Sequence, residues 1–300
     1  MSVSSPSRLV IVARDIKLSH SVFAMPFALL ATFLAAGSIE GHRWPAATTL
    51  VLIVICMVLA RTAAMAFNRW ADRRMDAANP RTARRALASG ALSPGYMLGV
   101  IVVCGAAFIA ATAGFWLLND NPWPLILSPF VLAWLCLYSL TKRFTWFCHV
   151  FLGSSLALSP VAAAIAVQPG YLARPEVWLL AGNVLCWVAG FDIIYALQDV
   201  AFDREHGVFS MPANLGVETA LWISRGLHLC SAVLLTILAA TSDQFGLFFT
   251  VAVVLTIGLL ILEHVIVWRS STHHIDAAFL TVNGVISLLL GAAGIIDLVR

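Results

Sequence analysis

The sequence is short of charge. Asp, Glu, Lys and Arg make up only 11% of its 300 residues, against about 25% in an ordinary soluble domain. Acids are scarcer than bases, 15 against 18. With 61% hydrophobic residues and a mean hydropathy of +0.92, a water-soluble fold is excluded. No polar stretch between the apolar runs is long enough to fold alone, so residues 1–300 read as a single domain. The cysteines at 56, 104, 136, 148, 186 and 230 form no CxxC pair and all lie in apolar runs. They read as small buried hydrophobes, and no disulfide, zinc site or iron–sulfur cluster is expected. The apolar runs lack the period-two alternation of a membrane barrel, which excludes that architecture. No clear cleavage site follows the polar first 18 residues. The first apolar run therefore reads as a span, not a removed signal peptide.

What is present is a series of nine apolar runs, each near the roughly 20 residues that a helix needs to cross a bilayer. They cover about 20–38, 45–67, 95–118, 123–140, 146–168, 177–198, 219–240, 244–268 and 276–297. Helices satisfy the backbone within one segment, so the expectation is an all-α integral membrane protein with nine transmembrane helices. The connectors alternate in charge. Arg8, Arg14, Lys17, Arg69, Arg73, Arg74, Arg81, Arg84, Arg85, Lys142, Arg143, Arg204 and Arg269 fall on one side, and only Arg43, Arg174 and Arg300 on the other. Basic residues favour the cytoplasmic face. The chain is expected to cross the inner (plasma) membrane several times, with its N-terminus cytoplasmic and its C-terminus outside.

The few acids are concentrated in two windows on that basic side, FNRWADRRMD (67–76) and DIIYALQDVAFDRE (192–205). Positions i, i+4 and i+8 drift by only about 40° per step on a helix, so Asn68, Asp72 and Asp76 form one stripe. Asp192, Tyr195, Asp199 and Asp203, at i, i+3, i+7 and i+11, share a face in the same way. Polar helix ends at the membrane surface explain one such window. Two with the same spacing and side, in a chain that otherwise avoids acids, point to a ligand. Like charges at i and i+4 repel, and a cation between them removes that cost. Mg²⁺ takes oxygen ligands, commonly one or two carboxylates with substrate phosphates and water. The cluster therefore suits a Mg²⁺–diphosphate, with Asn68 adding a neutral oxygen. Lys142 and Arg143 supply cations on the same side, and Arg204 follows Asp203 directly. Arg61, seven residues before Asn68 and deeper in the span, and Asp192, about two turns inside, are costly in lipid and should face a polar cavity.

The two windows resemble the paired Asp-rich motifs of the UbiA superfamily of intramembrane aromatic prenyltransferases. ARTAAMAFNRWADRRMDAANPRTARR, YSLTKRFTW and GFDIIYALQDVAFDREHGVFSMPANLG are similar to its signature blocks, in order. The resemblance implies a nine-helix bundle around a central cavity. It implies that Asp72, Asp76, Asp199 and Asp203 bind diphosphate through Mg²⁺ as the catalytic acids, with Asn68 opening the first motif. Arg61, Lys142 and Arg143 match family positions for substrate binding, and Asp192 an acid that orients Tyr195 or the acceptor. Arg61 and His20 are candidates to meet an acceptor carboxylate or hydroxyl. The implied partners are a polyprenyl diphosphate, a hydroxylated aromatic carboxylate and the lipid bilayer, with no nucleic acid. HSVFAMPFAL and GFDIIYALQD look most like quinone-pathway members, and 4-hydroxybenzoate and a dihydroxynaphthoate of the futalosine route stay open as acceptors. The sequence departs from the family pattern at Asn68-Arg69, at Arg85–Gly90 and in SMPANLG.

Two other membrane classes also use buried acids. A CDP-alcohol phosphotransferase needs a compact Asp-x-x-Asp-Gly-x-x-Ala-Arg run, which is missing. A transporter places its acids near mid-bilayer on broken helices, whereas most of these lie at helix ends.

Overall fold

Apolar runs this long, with no water to satisfy their backbone, close their hydrogen bonds internally, and among the described residues all regular structure is helical. The computed structural model describes residues 7–17, 23–39, 43–269 and 275–300, with 268–269 and 275–280 described by backbone alone. His20 lies outside the described residues. The helices are α1 (Arg8–Asp15), α2 (Met25–Gly37), α3 (Ala47–Ala78), α4 (Pro94–Asn119), α5 (Trp123–Thr141) and α6 (Cys148–Val167). They continue as α7 (Pro175–Ala196), α8 (Val200–His206), α9 (Met211–Leu215), α10 (Val217–Thr241), α11 (Leu247–Arg269) and α12 (Ile275–Val299).

Eight of the expected spans are helices long and apolar enough to cross a membrane. The expected first span differs. Its helix α2 has only 13 residues, about 20 Å of rise against a hydrocarbon core of about 30 Å. Pro26 stands in its first turn, where a missing N–H costs nothing. Lipid is not its main surrounding, because Phe27, Ala28, Leu30, Ala31 and Leu34 are fully buried. It is an inner helix, packed against α6 and α12.

Two sets of contacts define the ends of the bundle. At one end α1, capped by Ser7, buries Val12 and Ile16 against Ala66, Ala86, Leu87 and Met97. Asp15 Oδ1 accepts from Ala86 N at 2.8 Å, so the N-terminal helix is tied to the loop that follows α3. At the other end Ser38 donates to Gln168 at 2.8 Å and Asn121 donates to the carbonyl of Ile165 at 2.7 Å. Asp297 accepts from the backbone of Gly246 and Phe249, and Arg43 donates to the carbonyl of Arg300. The helical N-terminus and the C-terminus therefore lie at opposite ends. Deep packing between α6 and α7 depends on Gly153, where an added Cβ would stand 2.4 Å from the carbonyl oxygen of Leu185.

Candidate active site

Both acidic windows line one cavity of about 330 Å³ at the α1 end of the bundle. The first reaches it as expected. α3 runs unbroken to Ala78, and Arg61, Asn68, Asp72 and Asp76 all contribute to the wall. The second window is not the continuous helix that its spacing suggests. α7 stops at Ala196, a 3₁₀ turn covers Leu197–Asp199, and α8 begins at Val200. Asp192, Tyr195, Asp199 and Asp203 nevertheless face the same cavity, because a single tightened turn shifts the stripe without reversing it.

Asp72, Asp76, Asp199 and Asp203 are each held by a donor outside their own helix or turn. Asp72 is only 1% exposed, with Lys142 Nζ 2.5 Å from its Oδ2 and Arg143 3.5 Å from its Oδ1. Asp76 accepts from Arg85 at 2.7 Å. Asp199 accepts from Asn79 at 3.0 Å and from Arg81, whose guanidinium forks across both oxygens. Asp203 accepts from Ser210 Oγ at 2.7 Å. Buried carboxylates persist only with such partners. Burial works against the Arg81 charge, but the hydrogen bonds to Asp199 and Tyr195 outweigh it and hold that guanidinium above its ordinary pKa.

The chain beyond α8 makes part of this possible. Gly207 takes φ +66, a left-handed cap that costs glycine little and other residues about 1–2 kcal/mol. The chain then turns back, and Ser210 reaches Asp203. Phe209 N donates to the carbonyl of Lys142 at 2.8 Å, and Met211 N donates to His149 Nε2 at 3.2 Å.

Asn68 accepts from Arg69 at 3.1 Å, and Arg69 also donates to the carbonyl of Asp15. The Asn-Arg variant of the first motif thus anchors the N-terminal helix over the site. Arg204 is turned away: it donates to the carbonyls of Ala213 and Pro212 and does not line the cavity. Arg143 approaches from the rim, where 43% of its side chain is exposed.

Sequence reasoning passed over several groups here. In the sequence Arg81 and Arg85 read as basic loop residues, and Ser210 only as the start of SMPANLG, with nothing to tie any of them to an acid. His149 carried a signal, as an ionisable residue within the apolar run WFCHVFLG, which reads as functional by default. Its ring is buried, with Nδ1 2.7 Å from Asp192 Oδ2. Because the Met211 N–H points at Nε2, that nitrogen carries the lone pair, so Nδ1 bears the proton and donates to Asp192. Asp192 keeps its other oxygen for the cavity.

A second cavity of about 330 Å³ is lined almost wholly by apolar side chains, among them Ile53, Phe108, Phe115, Leu127 and Val131. It shares Arg61, Met65, Tyr138, Leu152 and Leu156 with the first. Arg61 sits at the junction, and its buried Nε has no hydrogen-bond partner. Among the described residues no three His, Cys, Asp or Glu side chains stand close enough to hold a metal ion alone. The acids form an all-oxygen set spread around the cavity. That suits Mg²⁺ when a substrate's phosphates complete the shell.

A polytopic helical bundle with an acid-lined pocket at one end, opening into a greasy one, is the architecture of a membrane enzyme that handles an amphiphile with an anionic head. Comparison with known proteins gives the family. The UbiA prenyltransferase family description matches residues 24–288, and the chain belongs to that family of multi-pass membrane prenyltransferases. It is 32% identical over 238 residues to a protein of Nitrosomonas eutropha named 4-hydroxybenzoate octaprenyltransferase, covering 79% of each chain. The solved apo structure of a UbiA homolog from Aeropyrum pernix K1 matches with a TM-score of 0.81 at 32% identity, over 93% of this chain and 98% of that one. A UbiA homolog from Archaeoglobus fulgidus bound to GPP and Mg²⁺ shares the fold, with a TM-score of 0.71 at 17% identity, over 97% of this chain and 100% of that one.

Proposed function

We propose that this prenyltransferase moves a polyprenyl group from an allylic polyprenyl diphosphate onto a hydroxylated aromatic acid of the 4-hydroxybenzoate type, a step in making membrane quinones. The observation that carries the reading is the junction of the two cavities at Arg61. One pocket offers acids and cations to a diphosphate, and the other offers only apolar walls to a long tail. The names of the relatives support the acceptor class, and the Mg²⁺-bound homolog supports the cofactor. Asp72, Asp76, Asp199 and Asp203, with Asn68, would hold Mg²⁺, which when bound neutralises diphosphate charge.

The chain's own residues account for the rest. Lys142, Arg143, Arg81 and Arg85 compensate the charge that grows on the diphosphate as the allylic C–O bond breaks. Arg61, with an unpartnered Nε, is suited to receive the acceptor's carboxylate beside the first carbon of the tail. The ring attacks the allylic carbon, a C–C bond forms, and the displaced ring proton passes to Asp192. His149, donating from Nδ1, keeps that carboxylate aimed. The apolar pocket excludes water, which would otherwise capture the allylic cation.

The purified chain is expected to incorporate labelled prenyl diphosphate into 4-hydroxybenzoate in the presence of Mg²⁺ and not after chelation. Running a dihydroxynaphthoate alongside identifies the ring. Incorporation into neither acceptor would remove the aromatic-acid reading. The orientation belongs to the same proposal. The basic residues concentrate at the α1 end, and α1 and the C-terminus lie at opposite ends, which suits nine passes, α2 being the inner one, with a cytoplasmic N-terminus. Reporter fusions are expected to place the N-terminus inside and the C-terminus outside. Both on one side would refute the nine-pass count.

A further inference from the structure

Away from the two joined cavities, a groove of about 400 Å³ opens between α10 and α11. Its lips, Leu229 and Ile261, are 66% and 61% exposed, and on a membrane-spanning bundle that surface faces lipid. One group does not fit an apolar furrow. Arg225 lines the groove, two turns into α10, and among the described residues no carboxylate pairs with it. Its guanidinium lies over the ring of Trp222, 4.5 Å from the centroid. Trp222 is itself 62% exposed, as expected of an aromatic at the membrane–water boundary. The Arg–Trp pair therefore marks headgroup depth, and the groove continues from it toward the bilayer centre along Leu229 and Ile261.

Two histidines stand in the otherwise apolar wall. His228 is buried with its ring against Gly190, where an added Cβ would stand 2.4 Å away. Its Nε2 faces the carbonyl of Trp187 at 3.3 Å, and its Nδ1 faces Nε2 of His264 at 3.0 Å. A carbonyl only accepts, so His228 carries its proton on Nε2 and takes one at Nδ1 from His264. The ring nitrogen left on His264, Nδ1, is then an acceptor. The groove thus combines one cation with no carboxylate partner among the described residues, one acceptor and a chain-sized apolar furrow.

The geometry points to a binding site for an anionic phospholipid with a hydroxylated headgroup, separate from the prenyl-transfer site. The phosphate meets the Arg225 fork, which matches phosphate geometry. A headgroup hydroxyl donates to His264, and one acyl chain fills the furrow. Charge complementarity selects this occupant over a lipid with no net charge, since the Arg225 guanidinium has no carboxylate partner among the described residues and attracts anionic headgroups at the membrane surface.

Native mass spectrometry of the purified full chain tests it, with titration by phosphatidylglycerol and phosphatidylcholine of the same acyl length. The wild type should retain phosphatidylglycerol at about tenfold lower concentration, a preference worth about 1.4 kcal/mol. R225Q should abolish that preference. I261W, which fills the furrow without touching the cation, should lower retention of the same lipid. Prenyl transfer in lipid-free detergent should be unchanged in both, which also shows that they fold. Equal retention of the two lipids by the wild type would overturn the site. So would a preference that survives in R225Q, unchanged retention in I261W, or complete displacement of the lipid by free glycerol phosphate.

Discussion

Replacing Asp72, Asp76, Asp199 or Asp203 by Asn, one at a time, is expected to lower Mg²⁺-dependent prenyl transfer by about 10²- to 10³-fold, the range for losing one preorganised electrostatic contact in an active site. Asn is nearly isosteric and keeps one oxygen, so the change removes charge and little else. The structure separates the four by their side effects. Asp72 is 1% exposed and holds Lys142. Its Asn variant leaves a cation short of its partner and should also lose stability, on the order of 1–3 kcal/mol. Asp203 takes a neutral hydroxyl from Ser210, a bond that an Asn oxygen can still accept. Asp203→Asn is therefore the clean test: turnover should collapse while the melting temperature holds. The four acids face one cavity and serve one leaving group, so a double variant should be little worse than its worse parent. Near-normal turnover in all four single variants would reduce the two windows to polar helix ends.

His149→Phe should cut kcat by about 10²-fold, at the lower end of what a positioned acid or base contributes, with the KM for the prenyl donor little changed. Phenylalanine keeps the ring volume in a site where His149 is 3% exposed. It removes the proton given to Asp192 and the acceptor offered to Met211 N. Leaving that buried N–H unpaired should cost about 1–3 kcal/mol of stability, so the melting temperature drops as well. Stability loss alone would not split the kinetic constants. Asp192→Asn should match the kcat loss without the same drop in melting temperature, and the double variant should be no worse than the worse single. Steady-state kinetics with both substrates varied provides the check. An unchanged kcat in both singles would leave the pair a structural tie between α6 and α7.

Much of the chain was legible because membrane helices are specified locally. A bilayer offers the backbone no partners, so each long apolar run had to be a helix. The acids on α3 obey the periodicity of that one helix, and Asn68, Asp72 and Asp76 were therefore readable as a stripe. Where several elements share responsibility, local reading fell short. That α2 is short and buried inside the bundle is not legible in its run, because hydropathy does not distinguish lipid from protein surroundings. The 3₁₀ turn at Leu197–Asp199 left no trace in the spacing. Arg204 follows Asp203 in sequence, yet it is drawn to carbonyls beyond Gly207.

By itself the sequence determined a helical membrane protein with two acidic stripes, since composition and periodicity are properties of single segments. Only the tertiary structure decided what neutralises those acids. Arg81 and Arg85 come from a loop that reads as a topology signal, Ser210 from a chain reversal at Gly207, and His149 from the middle of an apolar run. Lys142 and Arg81 cross between elements far apart in the chain, Arg85 and Ser210 return to acids a few residues back through folded loops, and the low dielectric around them makes every partner matter. No pattern along the chain encodes which cation will meet which carboxylate.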